Sequence, residues 1–345
     1  MNGRETMKFI MNRNILLLLI LSVFLVACGD EDTKSAGASS NGTTIRAAID
    51  TAAGGSFQIR AAKANDYFAD SGLDVKLSNF AYGIDTVNAL LTQQADTGLA
   101  ADYALLNSLN KGDFVVVSSL TGSDANFNSV SLTEILAVKG IEKPEDIKGK
   151  KIGVAKGTVS EYHWAKYLEH YGISEDDIKF VPYSTPDEAI VGVKKGDMDV
   201  VLGSGALLEK FKKIEGVHEI DRLSSVPDLR VASFLIVDRK FAEANTDVIA
   251  KLIEGISKGI DFVKENPEGT ADIAYDELKI AKEDVLRDLE RQNFTLGFTQ
   301  QDFEHLTTMK QYLLDRGILK EDYDLAAKLY LEPAKKAVPD RVTYQ

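Results

Sequence analysis

The chain has 345 residues, 44% of them hydrophobic and 27% charged, with a formal net charge of −13. That length and apolar content support a sizeable core and two domains rather than one, and they exclude a mostly disordered chain. The acidic balance disfavours nucleic acid and anionic lipid as partners, and the single cysteine excludes an intramolecular disulfide.

The first 27 residues read as an export signal peptide. Arg4, Lys8 and Arg13 outweigh Glu5, and ILLLLILSVFLVA, at 15–27, has one polar residue, Ser22. That run is short for a membrane span and fits a secretory h-region. LVAC, at 25–28, resembles the lipobox of bacterial lipoproteins. The resemblance implies cleavage before Cys28 and acylation of its thiol, as by palmitate; a free cysteine in an apolar segment is the other reading. Cleavage there removes three basic residues and one acidic one, taking the formal charge from −13 to −15. Residues 28–43, rich in Ser, Gly, Ala and Thr from 35 onward, then read as a flexible tether to a membrane surface that the chain does not span.

TTIRAAID, at 43–50, predicts a short apolar strand, and TAAGGSF turns out of it. Residues 56–72 predict a helix with Phe57, Ala61, Ala64 and Phe68 on one face and a glycine stop. LDVKLSNF alternates as a strand, and 83–94 predicts a helix capped by Asp85 or by the turn before it. TGLAA is a short buried strand, Asp102 a plausible cap for YALLNSLNKG, and DFVVVSSL another strand. This β-α-β-α-β-α-β order with short connections predicts one parallel α/β layer.

LTEILAV and KKIGVA predict strands, followed by a helix within VAKGTVSEYHWAKYLEHYG and the strand IKFVPY. TPDEAIVGVKKGD predicts a helix with Thr185 as cap, Pro186 at its first position and Glu188 three after the cap. With MDVVLGS as strand and GALLEKFKKIEG as helix, this is a second α/β layer. VASFLIVDRKFAE adds one strand. Helices are then predicted at 247–265, 270–278, 281–292, 300–316 and 325–336, returning to cover the first layer. The first of them carries Val248, Leu252, Ile256, Ile260 and Val263 at near 3.6 spacing.

Three stretches resemble the extracytoplasmic solute-binding proteins of ABC transporters: ALLTQQADTGLAADYALLNSLNKGDFVVVSSL, KPEDIKGKKIGVAKGTVSEYHWAKYLEHYGI and FLIVDRKFAEANTDVIAKLIEGISKGIDFVKENPEGTADI. The nearest group is the nitrate, sulfonate and taurine binders, with thiamine-precursor binders of the same superfamily. The resemblance implies an α/β, two-lobed periplasmic-binding-protein-like fold of type II. Each lobe would be a sheet flanked by helices, with two crossover strands near 120–136 and 222–234. Residues 44–122 plus 232–345 would form lobe 1, and 123–231 lobe 2. It further implies a monomer outside the cell that captures a small anionic or zwitterionic solute, such as a sulfonate, taurine or nitrate. An ABC permease and its ATPase would be the partners, the lipid the only membrane attachment, and neither cofactor nor metal is called for.

KIGVAKGTVSEYHW reads as strand, turn, helix, and such a turn leaves the C-terminal end of a parallel strand, where open α/β sheets bind ligands. Gly157 permits a tight turn. Thr158 or Ser160 can cap the helix, whose first N–H groups favour a negative ligand group. The alternative is a helix start that holds no ligand. His163 either reaches the ligand from the next turn or packs as an ordinary histidine. In the first lobe Gly54, Gly55 and Ser56 leave the first strand, Tyr82 the second and Asp102 the third; a plain glycine turn, a surface aromatic and a helix cap are the alternatives. Ser204 sits where many nitrate and sulfonate relatives carry a tryptophan segment, so GSGA here removes an aromatic wall. Arg230, at the returning crossover, is either the ligand's cationic partner or a solvated arginine.

An enzyme is disfavoured. The histidines are His163, His170, His218 and His305, with no Gly-x-Ser-x-Gly elbow, no HExxH and no Cys-His cluster. The enzyme-like relatives of this fold that make thiamine precursors depend on a cysteine-rich iron site, for which this chain lacks the cysteines. A ligand-sensing lipoprotein that docks to a signalling receptor remains the second reading, and gene neighbourhood separates it from transport.

Overall fold

The computed structural model describes residues 42–51, 56–122 and 129–345. The expected signal peptide, Cys28, nearly all of the tether, and Gly54 and Gly55 lie outside the described residues. The chain opens with β1 (Thr43–Asp50), α1 (Phe57–Ala64), β2 (Leu73–Phe80), α2 (Gly83–Leu91), β3 (Thr97–Ala101), α3 (Asp102–Leu106) and β4 (Phe114–Thr121). It continues with β5 (Glu134–Ala137), β6 (Lys151–Ala155), α4 (Val159–His170), β7 (Lys179–Tyr183), α5 (Pro186–Lys195), β8 (Val200–Gly203), α6 (Gly205–Lys212) and β9 (His218–Arg222). It returns through β10 (Ser233–Asp238) to α7 (Arg239–Ala244), α8 (Thr246–Glu265), α9 (Pro267–Leu278), α10 (Lys282–Leu289), α11 (Gln300–Asp315) and α12 (Glu332–Ala337).

The first sheet has the order β2-β1-β3-β10-β4 and the second β7-β6-β8-β5-β9. The expected all-parallel first layer is corrected here: β10 lies antiparallel between β3 and β4, with Phe234 opposite Ala100 on one side and Ser119 on the other. In the second sheet β6 runs parallel to β7 and β8, whereas β5 is antiparallel to β8 and β9. Alternation along β4 sends Val115 and Val117 to one core and Val116 to another. The first sheet is therefore covered on both faces, which is why its strands read as apolar runs.

Local chemistry explains most element ends. Thr185 Oγ1 accepts the Glu188 N–H at 3.2 Å, and Glu188 Oε2 accepts the Ser184 N–H at 2.7 Å. Two expectations shift. The helix expected to run to 72 stops at Ala64, where Asp66 takes a left-handed φ of 57°. The helix expected over 325–336 is broken into a single turn at Ala326–Lys328 and α12, because Pro333 lies in the first turn of α12 and cannot continue a helix from before it.

Helix α8 presents Leu252, Ile256 and Ile260 to the first core and packs closely on α1. A Cβ at Gly259 would stand 2.0 Å from the Gln58 carbonyl oxygen. Backbone cannot yield there without separating the helices, so Gly259→Ala is expected to destabilise the fold by about 1–3 kcal/mol. Urea unfolding measures this, and an unchanged midpoint would disprove the close approach.

Candidate functional site

The strand ends of the two sheets face each other across a cavity of about 210 Å³. Its walls come from the ends of β1 (Asp50), β3 (Ala101), β4 (Thr121), β6 (Ala155) and β7 (Tyr183), and from Leu202 of β8 and Ser233 at the start of the antiparallel β10. This is the carboxyl edge of both α/β layers, the usual ligand position in open sheets. Thr158, Val159, Ser160 and His163 bring the N-terminus of α4 to the cavity, and Ser204 and Gly205 bring that of α6.

The approach of α4 is set by its own sequence. Gly157 takes a left-handed φ of 75°, the turn that lets the chain leave β6. Thr158 Oγ1 then donates to the Ala155 carbonyl at 2.8 Å and accepts the Ser160 N–H at 3.1 Å. The Thr158 hydroxyl is thereby occupied by the cap. One turn on, Trp164 is fully buried, and its indole N–H donates to the Gly153 carbonyl at 3.0 Å, pinning α4 to β6.

Three buried polar atoms of the wall are available to a ligand. Ser160 Oγ and His163 Nε2 have no hydrogen-bond partner among the described residues. Tyr82 Oη also lacks a bond of normal geometry, although Tyr183 lies close enough to influence it. Burial pushes the His163 imidazole down to about 4, against the opposing pull of Asp102, so this ring is neutral at pH 7. Burial likewise pushes the Tyr183 hydroxyl up to about 12. The two carboxylates in the wall are Asp50 and Asp288, and no lysine or arginine lines the cavity among the described residues. Desolvation pushes the Asp288 carboxyl up to about 6; Arg287 opposes this and Asp284 adds to it.

The expected site residues divide. Tyr82, Thr158, Ser160, His163 and Ser204 line the cavity. Gly157 shapes the turn without being part of the wall. Ser56 is buried and points elsewhere: its hydroxyl donates to the Asp50 carbonyl at 2.9 Å and accepts from Arg60 Nε at 3.2 Å. Asp102 is no ligand group either. It is fully buried as the first residue of α3 and accepts from the Tyr103 and Ala232 N–H groups and from His305 Nε2. Arg230 opens onto a separate recess with His305 and Tyr312 and pairs with Asp228 at 3.5 Å. Tyr183, Asp288 and Gln292 were missed. Tyr183 ends a predicted strand and was open to the same argument as Gly157; Asp288 and Gln292 lie in and just after a C-terminal helix whose docking no local pattern announces.

Polar links cross the cleft beside the cavity. Tyr103 Oη of α3 donates to Glu161 Oε2 of α4 at 2.6 Å. Arg287 of α10 pairs with Glu209 of α6 at 3.3 Å, and Arg316, just after α11, pairs with Glu175. Among the described residues no helix is long and apolar enough to cross a membrane.

Two α/β layers with mixed sheets and a cavity between facing strand ends are the architecture of a periplasmic binding protein. Residues 56–270 match the family described as NMT1/THI5 like, and the chain belongs to that family. A binding protein of Brucella abortus (strain 2308) is 27% identical over 214 residues, 61% of this chain and 64% of that protein. The chain thus spans under two thirds of that relative's length. The taurine-binding periplasmic protein of Escherichia coli (strain K12) is 27% identical over 198 residues, 55% of this chain and 58% of that one. A Bacillus subtilis (strain 168) protein named for aliphatic sulfonates binding is 24% identical over 236 residues, 66% of this chain and 68% of that one. Among solved structures, the alkanesulfonate-binding protein of Xanthomonas axonopodis pv. citri bound to MOPS superposes with a TM-score of 0.72 at 15% identity, over 84% of this chain and 98% of that one. A desulfurization enzyme shares the fold with a TM-score of 0.62 at 12% identity, over 86% and 99%.

Proposed function

We propose that the protein captures a small solute outside the cell and delivers it to an ABC importer. Residues 44–122 with 232–345 form one lobe and 123–231 the other, and they close on the ligand about the two crossovers. The observation that carries this reading is the cavity at the facing strand ends, with Ser160 Oγ and His163 Nε2 buried in its wall and without a partner among the described residues. A buried polar group without a partner is destabilising by about 1–3 kcal/mol, and a ligand that satisfies it recovers that energy. The names of the E. coli and B. subtilis relatives support an anionic or zwitterionic solute of the sulfonate or taurine kind, and nitrate enters only through the family resemblance. Its anionic end would sit at the α4 N-terminus. A lipid on Cys28 would hold the monomer beside its permease and ATPase.

The protein is a binder and no enzyme in this reading. Ser160 Oγ and His163 Nε2 share a helix face, yet neither bonds the other. A serine nucleophile needs a base within hydrogen-bond reach and a third group to orient that base. Neither cofactor nor metal enters the scheme.

The test is thermal unfolding of the purified full-length protein with sulfonates, taurine, nitrate, carboxylates and amines. A ligand that binds only the folded state stabilises it by about 2.7 kcal/mol at a hundredfold excess over Kd. Ser160→Ala is expected to weaken that ligand about three- to tenfold, the loss of one hydrogen bond, while leaving the unliganded melting temperature unchanged or slightly higher. Failure of every compound class to shift the transition would overturn the reading.

A further inference from the structure

We propose that the ligand carries a protonated amine, with the Asp288 carboxylate as its counter-ion, and that the cavity rejects amine-free sulfonates and nitrate. The inference rests on the reading of the cavity as a solute site and narrows the chemistry of that solute.

The argument starts from the wall's charge. Asp288 supplies a carboxylate to the wall, and no lysine or arginine of the described residues lines the cavity. The imidazole of His163 is neutral, so it offers no charge to an anion. An anion held only by hydroxyls and the α4 N-terminus would meet uncompensated repulsion in a desolvated space. A ligand with an ammonium group meets the opposite field.

Asp288 is placed to act and is incompletely neutralised. Its residue is only 8% exposed. On its own helix Arg287 is the nearest cation, but Arg287 Nε stands 3.8 Å from Asp288 Oδ1, whereas Nη1 lies 3.0 Å from Asp284 and 3.3 Å from Glu209 of α6. Arg287 is therefore shared among three carboxylates and does not line the cavity. From β1, Asp50 also lines this wall. Burial raises the Asp288 carboxyl to about 6, a strain that an ammonium group relieves. Tyr82 and Tyr183 add aromatic surface to the same cavity, which an apolar part of the ligand would meet.

The sign of the pH dependence follows. An amine ligand needs ionised Asp288, so its affinity rises as pH climbs through about 6. Between pH 5 and 7.5 the gain is about tenfold, the ratio of ionised fractions for a group titrating there. An amine-free anion would behave oppositely and tighten as the pH falls.

Isothermal titration of the full-length protein with matched probes decides the matter: taurine against ethanesulfonate, tyramine against 4-ethylphenol, and nitrate alone, at pH 5 and 7.5. At least one amine member should bind at least tenfold tighter than its amine-free match. Its affinity should fall about tenfold at pH 5. In Asp288→Asn both preferences should vanish while the unliganded protein stays folded. Binding of ethanesulfonate or nitrate as tight as the amines, or tightening at pH 5, overturns this inference and leaves solute capture standing. Binding by none of the probes, at either pH, overturns this inference, and solute capture falls with it only when every class of the thermal screen fails as well.

Discussion

Asp102→Ala is expected to lower the stability of the protein by about 3–5 kcal/mol, as breaking one side of a buried charged pair does. Asp102 has no exposed surface. Its carboxylate accepts from the Tyr103 N–H at 2.7 Å, the Ala232 N–H at 3.0 Å and His305 Nε2 at 2.6 Å. Its own N–H donates to the Ala232 carbonyl at 2.9 Å. One side chain therefore ties α3, the segment entering β10 and α11 at a single point. Alanine leaves the Ala232 N–H and the imidazole buried without that acceptor. The loss is also pH-dependent. Burial works to lower the His305 pKa, but the hydrogen bond and charge of Asp102, with Asp302 adding, outweigh it and raise it. A raised histidine pKa contributes stability that is full below the unfolded value of about 6.5 and is lost as pH rises through the folded value. Wild type should thus lose stability above about pH 6.5 relative to Asp102→Ala. Urea midpoints across pH 5–9 read both effects; parallel curves for the two proteins would contradict the imidazolium pair.

Trp164→Ala is expected to destabilise by about 3–5 kcal/mol through the cavity it leaves. Trp164 is fully buried, packs edge-on against Tyr167 at 5.8 Å between ring centroids, and donates to the Gly153 carbonyl. Because it anchors α4 one residue beyond His163, ligand affinity should fall further than in Ser160→Ala, measured at a temperature where the variant remains folded. Trp164→Phe fills most of the space but leaves the Gly153 carbonyl without its donor, a loss of about 1–3 kcal/mol. Equal affinity in Trp164→Ala and wild type would separate the helix anchor from the site.

What the sequence made legible was whatever a short window encodes. Thr185, Pro186 and Glu188 announced a helix start, and KIGVAKGTVS announced a strand, a glycine turn and a cap. Thr158, Ser160 and His163 reached the cavity because one local turn aims them there. Asp102 was legible as a helix-start residue but not as a junction, since Ala232 and His305 are distant in the chain. Arg230 was open to two readings, ligand partner or solvated arginine, and Asp228 with a separate recess favours the second. Asp288 and Gln292 carried no signal, because only the packing of α10 against the cleft brings them to the wall. The antiparallel insertion of β10 was hidden for the same reason: strand order is decided by partners that the local alternation never sees.

That insertion sets an order of assembly. Every strand of the second sheet comes from one continuous stretch, Glu134 to Arg222, so that layer can complete itself as soon as its own residues are available. The first sheet cannot, because among the described residues β4 has β10 as its only neighbouring strand in the sheet. Until β10 arrives, β3 and β4 each present an open edge to any other strand, and closing the long stretch from β4 to β10 carries an entropic cost that local helices do not offset. A chain made from its N-terminus therefore finishes its middle before its beginning, and the early strands stay exposed to mispairing throughout that interval.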